Sequence, residues 1–598
     1  MKLSRFYSDD PAVFGPIEFL DGLNVVLAEI RLPENKAKDT HNLGKSMLGR
    51  LLDFGFLAKR DQNFFLFKHI DRFERFTFFL EIQLTDGSFV TVRRSARDSS
   101  RIAFKKHVAK YQDFAFLPDD QWDHCDVAFE RAQELLDSFL DWRGLKPWGY
   151  RKGLGYFLRS QVDFQDVFHL RKFMNKHADW KPFLAHILGF DADLIAKRYE
   201  KEAELAASEA RATTIRQEMA APEENAGKID GMLQLKRQDV DKKQALLDSF
   251  DFRSQDKAKT KELVDEVDQT IADLNARRYS LSQNKKKVAN SLKEDEIIFD
   301  PEEAKKLFQE AGVLFEGQIK RDFKQLIAFN RSITDERRNY LVEEQAEIEA
   351  ELKVVNSQLT TLGKKRSEML SFLGDTDTFR KYKQLSNELV VLRADITTLE
   401  RQKLSLTRLN DLKIEIRKLG EECTHLLAEI EADLNHQNAH ETSRFAIIRS
   451  YFNEIVEAVI DRKALLSVTL NKEGHMEFKA EILDEAGNAT SAAAGFTYKK
   501  LLCVAFDLAV LRAHINERFP RFAYHDGILE SLDDRKKHNL IEVLREYTDL
   551  GIQSLITMID SDLPALVEDE EPLFATEEIV VLLHDEGESG RLFRMPSW

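Results

Sequence analysis

The sequence predicts an α/β head assembled from the two ends of the chain, with a long antiparallel coiled coil inserted between them. Three observations carry this. No proline occurs between Pro301 and Pro520, a gap that a sheet-rich domain with ordinary turns does not leave. Apolar residues in the middle of the chain recur at steps of three and four, the a/d seam of paired helices. Short apolar strand patterns are confined to the two ends.

Composition agrees. Charged residues make up 32% of the 598 residues, above the roughly 25% of typical domains, as long solvated helices require. Hydrophobic residues are still 43%, with 42 Phe, so a sizeable core exists and disorder is excluded for most of the chain. The formal net charge of −16 rules out nucleic-acid binding through the average field, and any such contact must be local. Cys125, Cys423 and Cys503 are odd in number and without CxxC spacing, which suggests neither a disulfide framework nor a zinc site. The opening Met1-Lys2-Leu3-Ser4-Arg5 is not followed by an apolar h-region. The longest apolar helix pattern, Leu501 to Leu511, contains Asp507 and is too short to span a bilayer. A cytoplasmic protein with no membrane partner is expected.

Residues 1–195 form the predicted N-terminal lobe. Leu23 to Ala28 is a short apolar strand, and Phe78–Leu84 and Phe89–Val92 flank the turn Thr85-Asp86-Gly87-Ser88, a hairpin with an Asp-Gly signal. Residues 196–295 form a first coiled-coil arm, with a seam at Leu263, Val267, Thr270, Leu274, Arg277, Leu281, Asn284 and Val288. An apex or mid-coil interruption follows at 296–340, marked by Pro301, Gly312 and Gly317. The second arm, 341–440, carries the clearest seam: Leu341, Gln345, Ile348, Leu352, Val355, Leu359, Leu362, Arg366, Met369 and Leu373. After Gly374-Asp375-Thr376-Asp377 it resumes at Tyr382, Leu385, Leu389, Leu392, Ile396, Leu399, Lys403 and Leu406. An extended parallel rod is the alternative. Residues 441–598 speak against it, because Ala464–Leu470, Met476–Ile482 and Ile579–Leu583 read as strands, and two half-domains at opposite chain ends invite assembly into one.

Candidate site residues cluster in these halves. Asn42-Leu43-Gly44-Lys45-Ser46, between a strand and a helix, is the chemical half of a P-loop: backbone amides at a helix N-terminus cradle phosphates, Lys45 reaches them, and the Ser46 hydroxyl binds magnesium. The full spacing asks for a glycine at position 39, which is Asp. Phe522-Ala523-Tyr524-His525-Asp526 is a buried-strand pattern ending in an acid suited to hold magnesium, and Leu532-Asp533 follows. Tyr156 to Gln161 ends in a glutamine able to reach magnesium and an attacking water. Ser491-Ala492-Ala493-Ala494-Gly495 precedes an apolar helix and would offer its N-terminus to a γ-phosphate held by a second subunit.

In this order the elements resemble the P-loop, Q-loop, coiled-coil insertion, signature, Walker B and D-loop of the SMC and RecN class of ABC ATPases. Over nearly its full length the chain resembles a family of short SMC-like bacterial ATPases, on Asn42–Ser46, Phe157–Gln161, His525-Asp526 and a mid-coil segment from Phe329 to Leu341 with Arg337, Arg338 and Tyr340. The resemblance implies an ABC-type ATPase head that uses ATP and Mg2+ and dimerises through two sandwiched ATP molecules. Asn42, Gly44, Lys45, Ser46, Ser491, Gly495 and Asp533 would bind nucleotide, and Ser46, Gln161 and Asp526 the metal. It also implies other protein subunits, often in multi-component anti-phage defence systems.

Two departures bear on mechanism. Most ABC ATPases have a glutamate after the Walker B aspartate, where this chain has Gly527, and Glu530 is the nearest acid able to take the catalytic role beside Gln161. The switch histidine after the next strand is replaced by Asp560-Ser561. Slow hydrolysis, or ATP serving as a dimerising ligand on a coiled-coil scaffold, is the alternative to an active ATPase. Basic clusters at Arg93, Arg94, Arg97, Arg101, Lys105 and Lys106, at Lys285–Lys287 and at Lys364–Arg366 are the candidates for DNA phosphate contacts.

Overall fold

The computed structural model describes residues 1–32, 35, 43–170, 177–218, 226–249, 255–294, 319–371, 377–490, 495–530, 532–564, 572–596 and 598. The chain divides into two compact units: Met1–Glu202 with Glu422–Trp598, and Ala203–Glu421.

The first unit is built on two sheets. One is antiparallel, in the order β2-β1-β4-β5-β6-β7, from β1 (Lys2–Ser8), β2 (Ile17–Glu18), β4 (Thr77–Gln83), β5 (Phe89–Ser95), β6 (Arg101–His107) and β7 (His124–Ala128). The other is parallel, in the order β13-β3-β12-β11-β8. Its strands β3 (Leu23–Glu29) and β8 (Leu158–Arg159) come from the N-terminal half. Strands β11 (Phe522–Asp526), β12 (Gln553–Ile559) and β13 (Ile579–His584) come from the C-terminal half. Neither half can complete this sheet alone. The central strands β3, β12 and β11 are near-continuous runs of buried residues, as a parallel sheet covered on both faces demands, whereas the edge strand β13 is largely half-buried. The hairpin of β9 (Ala464–Leu470) and β10 (Met476–Ile482) stands apart as a third sheet.

Helices α1 (Lys45–Gly55) and α2 (Phe496–Ala513) pack into this core, in which Val25, Leu48, Phe506 and Ile556 from both chain ends share one apolar cluster. Buried Gln553 ties the two sheets together. Its amide accepts from Leu3 N at 2.7 Å and donates to Leu3 O at 2.9 Å and to Leu20 O at 2.7 Å.

The second unit is helical, and its pairings run antiparallel. Lys236 bonds Asp395 at 2.6 Å, while Asp230, earlier in the chain, bonds the later Lys403 at 2.7 Å. Likewise Arg277 pairs with Glu351 at 3.3 Å and Lys285 with the earlier Glu349 at 2.8 Å. A chain that goes out and returns gives this inverse register, and a parallel rod does not. The second-arm seam faces inward as read, with Ile348, Val355, Tyr382, Leu389, Leu399 and Leu406 buried. The first-arm seam is displaced by one residue at its start: Leu263 is 49% exposed and Val264 fully buried. The reason is its partner, since Val264 packs in one cluster with Tyr382, Leu389 and Leu247. The expected apex falls largely outside the described residues, but a helix is already formed from Ile319 and runs unbroken to Ser371.

Candidate functional site

The carboxyl ends of β3, β12, β11 and β8 line up in register, with Ala28 beside Ile559, Thr557 beside Asp526, and Arg159 beside His525. In open α/β sheets ligands bind outside these ends. Here the chain delivers Gly44 to Ser46 after β3, Ser160 and Gln161 after β8, and Asp526 to Glu530 after β11.

Gly44 is the N-cap of α1 and adopts φ 97°, ψ 8°, a left-handed conformation that suits glycine. A Cβ there would lie 2.8 Å from Leu592 Cβ. The helix thus starts at Lys45 with its free N–H groups outward, an arrangement that attracts anions. Ser46, Gln161 and Asp526 together line a cleft of about 670 Å³ that also touches Arg50, Phe64 and Tyr524. Hydroxyl, amide carbonyl and carboxylate oxygens are the hard donors that Mg2+ takes, so the residues present fit that ion. Asp526 is buried, and Thr557 Oγ1 donates to its Oδ1.

Glu530 is the hub of the site. Gln161 Nε2 donates to its Oε1 at 3.0 Å, Lys45 Nζ lies 3.4 Å from the same oxygen, and Lys500 Nζ donates to Oε2 at 2.5 Å. Gly527 makes room for it. With φ 69°, the backbone there turns left-handed, and a Cβ at 527 would sit 2.6 Å from Glu530 Oε1 and 3.0 Å from Gln161 Nε2. The Glu530 carboxylate therefore fills the space in which a side chain at 527 would begin.

Gln161 is held by its own turn and by a buried ion pair. Ser160 Oγ donates to Asp163 Oδ2 at 2.6 Å, and Ser160 N donates to the same oxygen at 3.2 Å as part of a capping box over the turn Gln161–Gln165. Arg159 binds Asp507 of α2 in bidentate fashion, at 2.8 and 2.7 Å, with both side chains inaccessible to solvent. Burial opposes the guanidinium charge, and Asp507 more than restores it. The remaining donors of Arg159 bond the carbonyls of Asp163, Asp166 and Val167. His525 Nε2 faces Asp507 Oδ2 at 3.1 Å. One carboxylate thus joins α2, β8 and β11 beneath the cleft.

Asn42 and Ser491 lie outside the described residues. Gly495 is the exposed N-cap of α2, in extended conformation. Asp533 caps α3 (Asp534–Asp549), accepting from Lys536 N at 3.1 Å and pairing with Lys536 Nζ at 2.6 Å, contacts that hold its carboxyl below the usual range. Neither is among the described residues lining the cleft. In place of a switch histidine, Asp560–Asp562 form a tight turn after β12. Burial raises the Asp562 carboxyl above its ordinary value, with the charge of Glu530 adding and that of Lys45 opposing.

Lys500, Thr557 and Asp562 are members of this cluster that sequence reading missed. Of these, Lys500 carried the clearest signal, as a cation bordering the apolar run Leu501 to Leu511. Several members of the basic clusters have partners within the chain. Arg94 is buried, donating to Phe54 O and Ser99 O. Arg93 pairs with Asp119, Lys105 with Asp123 and Lys106 with Asp86. Lys285 and Arg366 pair with Glu349 and Asp268. Arg93, Lys105, Lys106, Lys285 and Arg366 thus each have a neighbouring carboxylate. Among the described residues no cluster of His, Cys, Asp and Glu forms a further metal site, and no helix is long and apolar enough to cross a membrane.

The fold is thus an α/β head completed by both chain ends, with an antiparallel helical insertion between them in the chain. A bacterial family model described as "Uncharacterised protein conserved in bacteria (DUF2326)" matches residues 455–597. No curated protein matches. Among solved structures, the Smc head domain with a coiled coil and joint from Pyrococcus yayanosii is 16% identical, with 93% of this chain and 92% of that chain covered and a TM-score of 0.34. The Smc head domain with an extended coiled coil from Pyrococcus furiosus, bound there to the C-terminal domain of ScpA, is 10% identical over 94% and 90%, with a TM-score of 0.32. The SMC head domain from Thermotoga maritima is 15% identical over 23% and 43%, with a TM-score of 0.15. The fold assignment rests on the strand order and the chain path described above.

Proposed function

We propose that this chain binds ATP with Mg2+ at the cleft and hydrolyses it slowly, and that two heads associate through the bound nucleotides. The observation that carries this reading is the convergence of Lys45, Ser46, Gln161, Asp526 and Glu530 at the carboxyl ends of three parallel strands. Amides at the α1 N-terminus and Lys45 would bind phosphate oxygens. Mg2+, held by Ser46, Gln161 and Asp526, would neutralise phosphate charge. Glu530 is the general base, because its carboxylate takes the place next to Gly527 and contacts Gln161, the residue suited to orient water. Phosphoryl transfer depends mainly on positioning and electrostatics, so a base reaching in from three residues onward slows the step without removing it. Gly495 and Asp533 would act across the dimer, on the nucleotide held by the partner head.

A second reading is favoured by Gly527 itself: ATP as a dimerising ligand on a coiled-coil scaffold, with little turnover. Single-turnover hydrolysis, with and without DNA, separates the two. Measurable hydrolysis that falls in Glu530→Gln by a factor on the order of 10², with ATP binding kept, supports the ATPase. Binding and dimerisation without turnover support the scaffold. Action on DNA, and membership of a multi-component defence complex in the cytoplasm, are proposed from the family resemblance.

A further inference from the structure

Lys500 is only 2% exposed on a stretch of α2 where Leu501, Leu502, Cys503 and Val504 are all buried apolar residues. Burying an ammonium costs several kcal/mol unless it is paired, and a leucine would complete this helix face at no such cost. Two contacts of Lys500 lie at the two ends of one short turn. Its Nζ donates to Gly527 O at 2.9 Å and to Glu530 Oε2 at 2.5 Å.

We propose that Lys500 is the positioning residue that holds the Glu530 carboxylate in the site. The proposal rests on the reading that Glu530 is the general base. Because Lys500 anchors Oε2, the other oxygen, Oε1, is the one turned toward Gln161 and Lys45. Gly527 contributes twice, by offering its carbonyl to Lys500 and by leaving open the space that the carboxylate occupies. When phosphate oxygens draw Lys45 away from Oε1, Lys500 still holds Oε2, so the base stays in place as its free oxygen turns to water. The anchor is in the helix that begins at Gly495, so a shift of α2 on contact with a second head would move the carboxylate with it.

The test compares Lys500→Met, Glu530→Gln and the double variant with the parent, in single-turnover ATP hydrolysis and in fluorescent-nucleotide binding. Methionine keeps the unbranched stem and removes the charge. The expected result is a fall in the hydrolysis rate of Lys500→Met on the order of tenfold or more, the scale of a misplaced catalytic group, with nucleotide affinity unchanged. The double variant should be no slower than Glu530→Gln alone, since a positioning residue has nothing left to position. Should Lys500→Met fail to fold, Lys500→Gln, which keeps a donor for Gly527 O, takes its place in the same cycle. Parental turnover in Lys500→Met, faster turnover, or additive losses in the double variant would overturn the proposal. Parental turnover in Glu530→Gln, or none in the parent, would instead remove the base reading on which it rests.

Discussion

Lys45 Nζ lies 3.4 Å from Glu530 Oε1, a contact between residues 485 positions apart. At that distance the two groups attract without a tight hydrogen bond, and a polyphosphate offers the ammonium far more negative charge. If the site binds ATP as proposed, Lys45 and Glu530 are held against one another until nucleotide separates them. Lys45→Ala should abolish ATP binding measured by titration calorimetry, while the far-ultraviolet circular dichroism of the helical insertion stays at the parental level. Unaltered ATP affinity would remove the phosphate role of Lys45.

Gly527 is the second test of the same geometry. Alanine there meets a left-handed backbone, worth about 1–2 kcal/mol of strain, and its Cβ would stand 2.6 Å from Glu530 Oε1. Gly527→Ala should lower stability in chemical denaturation by roughly that amount and displace the carboxylate, so that hydrolysis falls and nucleotide binding remains. Gly527→Glu, which restores the residue that most ABC ATPases carry, should be no faster than Gly527→Ala, because Glu530 already occupies the space. A gain in turnover would show that the two carboxylates do not compete.

The pair Arg159 and Asp507 has no solvent access on either side chain. Asp507→Ala leaves a buried guanidinium without its counter-charge, a change that costs about 3–5 kcal/mol, and it frees the turn that presents Gln161. Stability and hydrolysis should fall together. Replacing both partners by Met and Leu should recover part of the stability, as expected for groups that act as one unit, without recovering hydrolysis. Losses that simply add, leaving the double variant less stable than either single variant, would show that the pair contributes no net coupling.

Burial pushes the Cys503 thiol up to about 12. A raised thiol pKa keeps the neutral form dominant, and at pH 8 the thiolate is roughly one part in ten thousand. Native-state alkylation at pH 8 should therefore modify the partly exposed Cys125 and Cys423 and spare Cys503, which reacts only once the head is denatured. Peptide mass mapping reads this directly, and rapid native labelling of Cys503 would mean that α2 opens far more readily than its packing implies.

Features whose signal is local and periodic were legible from the residues alone. The second-arm seam from Leu341 to Met369 faces inward as read, and Ala464–Leu470 and Met476–Ile482 form strands with the expected limits, because burial on one side of a helix or on a pleated face writes its period into neighbouring residues. Gly44 to Ser46 and Phe522 to Asp526 were legible for the same reason: each is a short element whose chemistry is complete within a few positions. Only the tertiary structure decided which charges meet. Lys500 and Asp507 announce themselves in sequence as charges in an apolar helix, and such a charge requires a partner without naming it. The partner of Asp507 is 348 residues away at Arg159, and that of Lys500 is Glu530, across the loop and strand that separate α2 from the site. The partners of Arg93, Lys105 and Lys106 were hidden in the same way, because the carboxylates that pair with them arrive from other turns of the chain. Periodicity is set by each element's own geometry, whereas charge pairing is set by the path that brings elements together, and that path is a property of the folded core.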